Sequence, residues 1–120
     1  MNYEDNKDNI RPWGRYDVVQ SDGFHKLKYI NIESYHRTSL QYHEHRSEVW
    51  VVISGNGQVE IDGKITNISY GDYCYIPAGA IHRISNTHEK KLILIEIQVG
   101  TYFGEDDIYR IEDDYDRQKL

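Results

Sequence analysis

The sequence has little of what a disulfide-rich, linker-rich or membrane protein needs. Cys74 is the only cysteine, which excludes an internal disulfide framework, and Pro12 and Pro77 are the only prolines, so no long linker is visible. No apolar run resembles a signal peptide or is long enough to cross a bilayer. We therefore expect a cytoplasmic protein without a membrane partner. Cys74, within the apolar run 73–76, is expected to be a buried structural thiol.

Basic residues are outnumbered by acidic ones. Lys and Arg total 14 against 20 Asp and Glu, which gives a net charge of −6. Nucleic-acid binding needs a basic face, so this balance argues against a nucleic-acid partner. A small anionic substrate stays compatible with the composition, because a few arginines inside a pocket act locally.

The residues that are present favour β structure. Tyrosine occurs 11 times, and it is enriched in strands. Turn signals separate short β-like runs, and Asp62-Gly63 is a strong tight-hairpin signal. The predicted strands are 14–20, 25–33, 38–45, 48–54, 57–62, 72–76, 81–86 and 91–99. Many short strands at close spacing predict an all-β antiparallel sandwich or small barrel.

The length of 120 residues predicts one domain. We place it at 11–120, after a loose, flexible and polar arm over 1–10. The acidic tail, 104–117, allows two interpretations. Asp106 could cap a short helix there, or the segment could continue as a strand with a polar end.

The stretch Gln41-Tyr42-His43-Glu44-His45-Arg46-Ser47-Glu48 is the most informative part of the chain. On an extended strand alternate side chains share a face, so Gln41, His43 and His45 are expected to point the same way. An apolar, β-branched run follows at 49–53, which indicates that this face lies inside a β structure. Polar groups on an interior face are costly unless something satisfies them, and a bound metal would do so.

A second cluster can complete that site. In Gly71-x5-Pro77-x-Gly79-x2-His82-x3-Asn86 the glycines supply turns, and Pro77 stiffens the approach to a strand that presents His82. If two hairpins face each other across a barrel, four side chains could converge on one ion: Gln41, His43, Glu48 and His82. Imidazoles with a carboxylate suit Zn²⁺ first, with Mn²⁺, Co²⁺, Ni²⁺ or Fe²⁺ as alternatives.

Two neighbours of these ligands have open roles. His45 could replace Gln41 as a ligand or act as a catalytic histidine, and the second role is preferred. Arg46 could contact a substrate anion, or it could form an outward-facing ion pair with Glu44 or Glu48.

These spacings resemble the two motifs of the cupin superfamily, small jelly-roll barrels (double-stranded β-helices) with a metal at the centre. The stretches 11–14, 39–50, 76–83 and 95–110 resemble more specifically the type II phosphomannose isomerase domain. That domain usually forms the C-terminal part of bifunctional mannose-1-phosphate guanylyltransferase/mannose-6-phosphate isomerases. The resemblance runs from about Arg11 to Arg117, and it implies an all-β cupin barrel.

The resemblance also implies an activity, the metal-dependent interconversion of mannose 6-phosphate and fructose 6-phosphate. We expect His45 to carry the proton, with Glu105 as the rival, and Arg46 and Arg110 to hold the phosphate. Expected partners are the sugar phosphate, a second copy in a homodimer, and a separate mannose-1-phosphate guanylyltransferase. The alternatives are another metal-dependent cupin enzyme (a different sugar isomerase or epimerase, or a dioxygenase), or a non-catalytic sugar-binding or regulatory cupin.

One departure from the family pattern concerns the turn before the ligands. The cupin motif normally has glycine six residues before its first ligand, where this sequence has Tyr35, preceded by Ser34. We expect this turn to be built differently while the ligands are unaffected.

Overall fold

The protein folds as two antiparallel β-sheets that face each other. The computed structural model describes residues 9–117, and no α-helix occurs among them. Among these residues, therefore, no helix is long and apolar enough to cross a membrane. The eleven strands are β1 (Ile10–Arg11), β2 (Gly14–Ser21), β3 (His25–Ile32), β4 (Leu40–Tyr42), β5 (Arg46–Ser54), β6 (Asn56–Ile61), β7 (Lys64–Ser69), β8 (Tyr73–Ile76), β9 (His82–Ser85), β10 (Leu92–Gly100) and β11 (Tyr109–Glu112).

The larger sheet has the strand order β1-β2-β3-β10-β5-β8, and the smaller has the order β11-β4-β9-β6-β7. Apolar side chains from both sheets form one core between them: Trp13, Ile30, Ile32, Trp50, Val52, Val59, Ile68, Ile76, Ala80, Ile84, Leu92 and Leu94. The predicted all-β fold is confirmed.

All eight predicted strands are present, with one important change. The strand predicted over 38–45 ends at Tyr42, and a new strand begins at Arg46. The expectation that Gln41, His43 and His45 share one strand face is therefore wrong, because residues 43–45 are not extended. His43 is buried and His45 is exposed.

Three strands were not predicted. β7 has five exposed residues out of six, so no buried alternation identifies it in the sequence. Part of the acidic tail forms the strand β11. Of the two interpretations of the tail, the strand with a polar end is therefore the one that the structure has. Residues 1–8 of the predicted arm lie outside the described residues, and Ile10 already pairs with Arg15 in the larger sheet.

Residues with positive φ at two of the turns bear on the sequence predictions. Asp62 (φ 48°) and Gly63 (φ 85°) join β6 to β7, with Ile61 opposite Lys64. This confirms the predicted tight hairpin, because both central residues of such a turn need positive φ. Tyr35 has φ 59°, so it adopts the conformation for which the family normally uses glycine. The turn before the ligands is therefore kept, with a side chain that favours it less.

The inner face of the larger sheet carries a polar row. Lys28 lies opposite Glu96, and Glu96 lies opposite Trp50. In a neighbouring row Gln98 lies opposite Glu48. All five side chains are buried, so these strands place charged and amide groups inside the barrel, where they must find partners.

The outer face of the same sheet is uncharged at ten positions on four adjacent strands. Alternation places these residues outward: Leu27, Tyr29, Val49, Val51, Ile53, Tyr73, Tyr75, Ile93, Ile95 and Ile97. Cys74, between the two exposed tyrosines, is partly buried, so the predicted buried thiol is only partly enclosed. Burial raises the pKa of its thiol to about 11.

Candidate metal centre

Three of the four predicted metal ligands come together inside the barrel. One donor atom each from His43, Glu48 and His82 lies within 4.8 Å of the others. The three residues are 3%, 2% and 1% exposed. His82 is brought in by its pairing with Gln41, which joins β9 to β4, and Glu48 comes from the opposite sheet. The structure therefore joins the two sequence clusters as the spacing predicts.

The break between β4 and β5 turns His43 inward, and Asp107 holds this break in place. Its carboxylate accepts the backbone N–H groups of Glu44 (2.9 Å) and His45 (3.0 Å). Burial tends to raise the pKa of Asp107, but these two N–H donors bring it below its ordinary value. Gly79 N–H also donates to the His43 carbonyl at 2.7 Å, which ties the second cluster to the first.

Hydrogen bonds orient both imidazoles for metal binding. His43 Nδ1 lies 2.8 Å from the Asp107 carbonyl oxygen, and His82 Nδ1 lies 2.9 Å from the Ala80 carbonyl oxygen. Since a carbonyl oxygen only accepts hydrogen bonds, each Nδ1 carries the hydrogen and each Nε2 presents a lone pair. His82 Nε2 is buried and has no hydrogen-bond partner.

Burial and charged neighbours shift the pKa values of Glu48 and His82. Burial raises the pKa of Glu48, but the hydrogen bond with His43 and the charges of His82 and Arg46 outweigh it, so its pKa lies well below the ordinary value. Burial lowers the pKa of His82 despite the opposing effect of Glu48. The cluster is thus a buried carboxylate, and in their neutral forms the two imidazoles turn their Nε2 lone pairs toward it.

This donor set fits a divalent metal. His43 Nε2 lies 3.2 Å from Glu48 Oε2, and His82 Nε2 lies 3.7 Å from Glu48 Oε1. With neutral imidazoles these contacts bring acceptors together, and a cation between them would satisfy all three. Gln41 lines the same cavity, although its Oε1 accepts a hydrogen bond from Ser39 at 2.8 Å. Two histidines, a carboxylate and an amide oxygen can hold zinc or another first-row metal.

His45 does not join this group. Its side chain is 53% exposed, and it lines a separate surface depression with Tyr102, Asp106, Asp107 and Tyr109. Neither its alternative role as a ligand nor its preferred catalytic role has support from this position.

The other predicted site residues do line the central cavity. Arg46 is buried and donates to Glu48 (Nε–Oε2, 3.3 Å), so the two residues do pair, but inside the barrel, and the outward-facing ion pair is wrong. Arg110 lies opposite Gln41, and its Nε is buried without a hydrogen-bond partner. Burial and the neighbouring Arg117 lower the pKa of Arg110. Glu105 lies near Arg11 and Lys28.

Sequence reasoning missed several cavity residues. Lys28, Glu96 and Arg117 line the cavity, and none of them was predicted to have a role. The signal for two of them was available, since Lys28 and Glu96 are charged residues at inward positions of β3 and β10, next to the buried apolar residues Ile30 and Leu94. With these residues the lining has five cationic side chains (Arg11, Lys28, Arg46, Arg110 and Arg117) and three carboxyl groups (Glu48, Glu96 and Glu105).

Glu96 is connected to the metal donors through Trp50. The indole N–H of Trp50 lies 3.1 Å from Glu48 Oε1 and 3.1 Å from Glu96 Oε2. Gln98 donates to the other Glu96 oxygen at 2.5 Å. Burial and the nearby charge of Glu48 raise the pKa of Glu96 to about 7. A buried carboxyl group that exchanges its proton near neutrality therefore lies in the cavity.

Comparison with known proteins identifies relatives of this architecture. A family model described as "Mannose-6-phosphate isomerase C-terminal" matches residues 2–113. "Alginate biosynthesis protein AlgA" of Pseudomonas aeruginosa is 45% identical over 107 residues, which cover 89% of this chain and 22% of AlgA. "Mannose-1-phosphate guanylyltransferase" of Klebsiella pneumoniae is 40% identical over 115 residues, 96% of this chain and 24% of that protein. The chain thus spans less than a quarter of each of these two relatives.

A solved structure supports the fold. An uncharacterised conserved protein with a double-stranded β-helix domain, from Klebsiella pneumoniae, superposes with a TM-score of 0.70 and 20% sequence identity. The superposition covers 81% of this chain and 88% of that chain. The predicted cupin barrel, a double-stranded β-helix, is confirmed.

Proposed function

Since the chain belongs to the family of mannose-6-phosphate isomerase C-terminal domains, we propose that it is a metal-dependent isomerase that interconverts mannose 6-phosphate and fructose 6-phosphate. The observation that carries this proposal is the composition of one cavity. It is lined by two of the three candidate metal donors, His43 and Glu48, with His82 close to both, by a buried carboxyl group whose pKa is raised to about 7, and by more cationic than anionic side chains.

The reaction moves a proton between C2 and C1 of the sugar through an enediol(ate). A metal held by His43, Glu48 and His82, with Gln41 beside them, would supply Lewis acidity toward the carbonyl and hydroxyl oxygens when bound. Nδ1–H donation to backbone carbonyls fixes both imidazole rings for that role. Arg46, paired with Glu48 on the same side of the cavity, can donate to a developing oxyanion.

The proton carrier is better sought inside the cavity than on its surface. His45 lies in another depression, and Glu105 is 41% exposed. Glu96 is buried and held at both oxygens by Trp50 and Gln98. We assign the proton transfer to Glu96 because it combines a fixed position in the cavity with suitable acidity.

The surplus of cations suits a phosphorylated sugar. Five cationic side chains face three carboxyl groups, and a divalent metal would add further positive charge. A dianionic phosphate ester would be attracted to such a lining, while a neutral sugar would gain nothing from it. The cytoplasmic location and the separate guanylyltransferase as a pathway partner stay predictions that accompany this function.

The homodimer also stays a prediction, and the outer face of the larger sheet is our choice for its interface. A face without charge does not repel its own copy, as a two-fold symmetric interface requires. A membrane would instead call for basic residues around the patch. In sedimentation velocity, Tyr75→Asp should shift a dimer to monomer, and a wild-type monomer at all concentrations would contradict the prediction.

A coupled assay tests the activity. The purified chain is stripped with a chelator, and Zn²⁺, Mn²⁺ or Co²⁺ is added back before mannose 6-phosphate. Fructose 6-phosphate should form only with metal present. If mannose 6-phosphate binds but is not converted with any metal, the non-catalytic sugar-binding alternative replaces this proposal.

A further inference from the structure

A charged cluster lies on the β2–β3 side of the cavity, two strands away from the strand that carries Glu48. Glu105 Oε2 lies 3.5 Å from Lys28 Nζ, and Glu105 Oε1 lies 3.6 Å from Arg11 Nη2. Both cations also contact the ring of Tyr16, at 4.0 Å from Nζ and 4.7 Å from the guanidinium carbon. One carboxylate thus lies between two cations that share an aromatic neighbour.

The two sides of this cluster differ in how firmly they are held. The Lys28 side chain is only 6% exposed, and a buried ammonium group is costly unless an anion compensates it. Glu105, by contrast, is 41% exposed and belongs to the loop between β10 and β11. Its contacts are at the long end of the hydrogen-bonding range. Lys28 is therefore enclosed in the barrel, while the carboxylate of Glu105 lies at the more exposed end of the cluster.

We propose that Arg11 and Lys28 form the binding site for the phosphate group of the sugar phosphate, and that Glu105 occupies this site until the substrate displaces it. The inference rests on the proposed function and names the part of the cavity that recognises the phosphate. A phosphate dianion brings more charge and more acceptor oxygens than a carboxylate. Glu105 is 41% exposed, so it can move into water, and the phosphate group that replaces it would compensate the buried Lys28 ammonium in its place.

The register of the larger sheet supports the placement. Lys28 lies opposite Glu96 and Glu96 opposite Trp50, so Lys28 is two strands, or about 10 Å, across the sheet from β5. A six-carbon sugar phosphate extended along this row would have its phosphate at Lys28 and its reacting carbons near the metal donors. Glu96 lies between these two ends, where the proton must be moved.

This assignment changes the role expected for the arginines. Arg46 contacts Glu48 through Nε and the Gly104 carbonyl through Nη1, so it lies between the metal donors and the loop that carries Glu105. Burial raises the pKa of Glu105, but Lys28, Arg46 and Arg11 lower it more, so this group is a carboxylate at neutral pH. As a carboxylate, Glu105 is an anion like the phosphate group that would replace it in the site.

Calorimetric titration of inorganic phosphate into the zinc-loaded protein tests the site without any turnover. Lys28→Met should weaken phosphate binding by about tenfold or more, because a charge-assisted contact is lost. Glu105→Gln should strengthen it several-fold by removing the competing charge. Lys64→Met, at an exposed position of β7 in the other sheet, is the matched control and should have no effect.

The outcomes separate this inference from the proposed function. Unchanged or weaker phosphate binding in Glu105→Gln overturns the inference, even if the protein isomerises mannose 6-phosphate. Expected phosphate affinities without isomerisation retain the site and overturn the proposed function. Should Lys28→Met fail to fold, the phosphate affinities of Arg11→Met and of the isosteric Glu105→Gln still test the inference.

Discussion

His43 Nε2 lies 3.2 Å from Glu48 Oε2, and the opposite nitrogen of His43 is bound to a backbone carbonyl. The ring nitrogen that faces the carboxylate therefore lacks its own hydrogen in the neutral imidazole. Holding two acceptors together inside a barrel is costly unless a cation lies between them or the imidazole takes up a second proton. The relationship supports a metal centre more directly than the presence of either residue in the sequence.

Loss of one donor should remove the metal. His82→Ala deletes an Nε2 that has no hydrogen-bond partner, so its principal effect should fall on metal affinity. We expect affinity for Zn²⁺ to fall by more than about 100-fold, beyond the loss typical of residues that only support a ligand. Equilibrium dialysis measures this. His88→Ala, at an exposed residue outside the cavity, is the control, and stoichiometric zinc in His82→Ala would refute the ligand assignment.

Replacing Glu96 should stop proton transfer and leave the metal in place. Glu96→Gln keeps the shape of the side chain, and we expect kcat to fall by about 100-fold or more. The pKa of Glu96 is raised to about 7, and a base acts as its carboxylate. The wild-type rate should therefore rise with pH through this region. A Glu96→Gln variant with normal kcat and the same pH profile would exclude Glu96 as the base.

His45 should tolerate substitution. Its side chain lies on the surface, in a depression that does not include the metal donors. We expect His45→Gln to bind zinc like wild type and to retain turnover within about two-fold, as surface substitutions away from a site usually do. Metal analysis and the coupled assay measure both properties together. Loss of activity with retained metal would restore the catalytic role predicted from sequence, and loss of both would make His45 a ligand.

The turn at Tyr35 should be more stable with glycine. Tyr35 has φ 59° and is 67% exposed, so its side chain contributes little packing while its backbone is unfavourable. Tyr35→Gly should raise the free energy of unfolding by about 0.5–1 kcal/mol, the left-handed penalty less the entropy cost of glycine. Urea unfolding measures this difference. Tyr70→Gly, at an exposed tyrosine without positive φ, should not stabilise the protein, and equal effects would refute the explanation.

Sequence reasoning worked where local patterns determine structure. Alternation predicted the strands, and Asp62-Gly63 predicted the β6–β7 hairpin because its conformation is decided by those two residues. It failed for His43 and His45 because the break after Tyr42 depends on Asp107, more than sixty residues away, which binds the backbone of the break. Such a long-range contact leaves no local signal.

The same limit applies to the cavity. The meeting of His43, Glu48 and His82 could be predicted because their spacing follows a known pattern, and their binding of a metal stays a prediction. Lys28 and Glu96 could not be assigned a role in the same way, since only the register of β3, β10 and β5 places them in one row with Trp50. Their position inside apolar strands was still a usable signal, because a charged residue at an inward position needs a partner.

The most direct test of the metal-dependent isomerase is a titration of zinc into the stripped protein while the formation of fructose 6-phosphate from mannose 6-phosphate is followed. The rate should be zero without metal, rise linearly, and stop rising at one zinc per chain. Formation of fructose 6-phosphate by fully stripped protein at the same rate, or no product when zinc is bound at one per chain, would contradict the account.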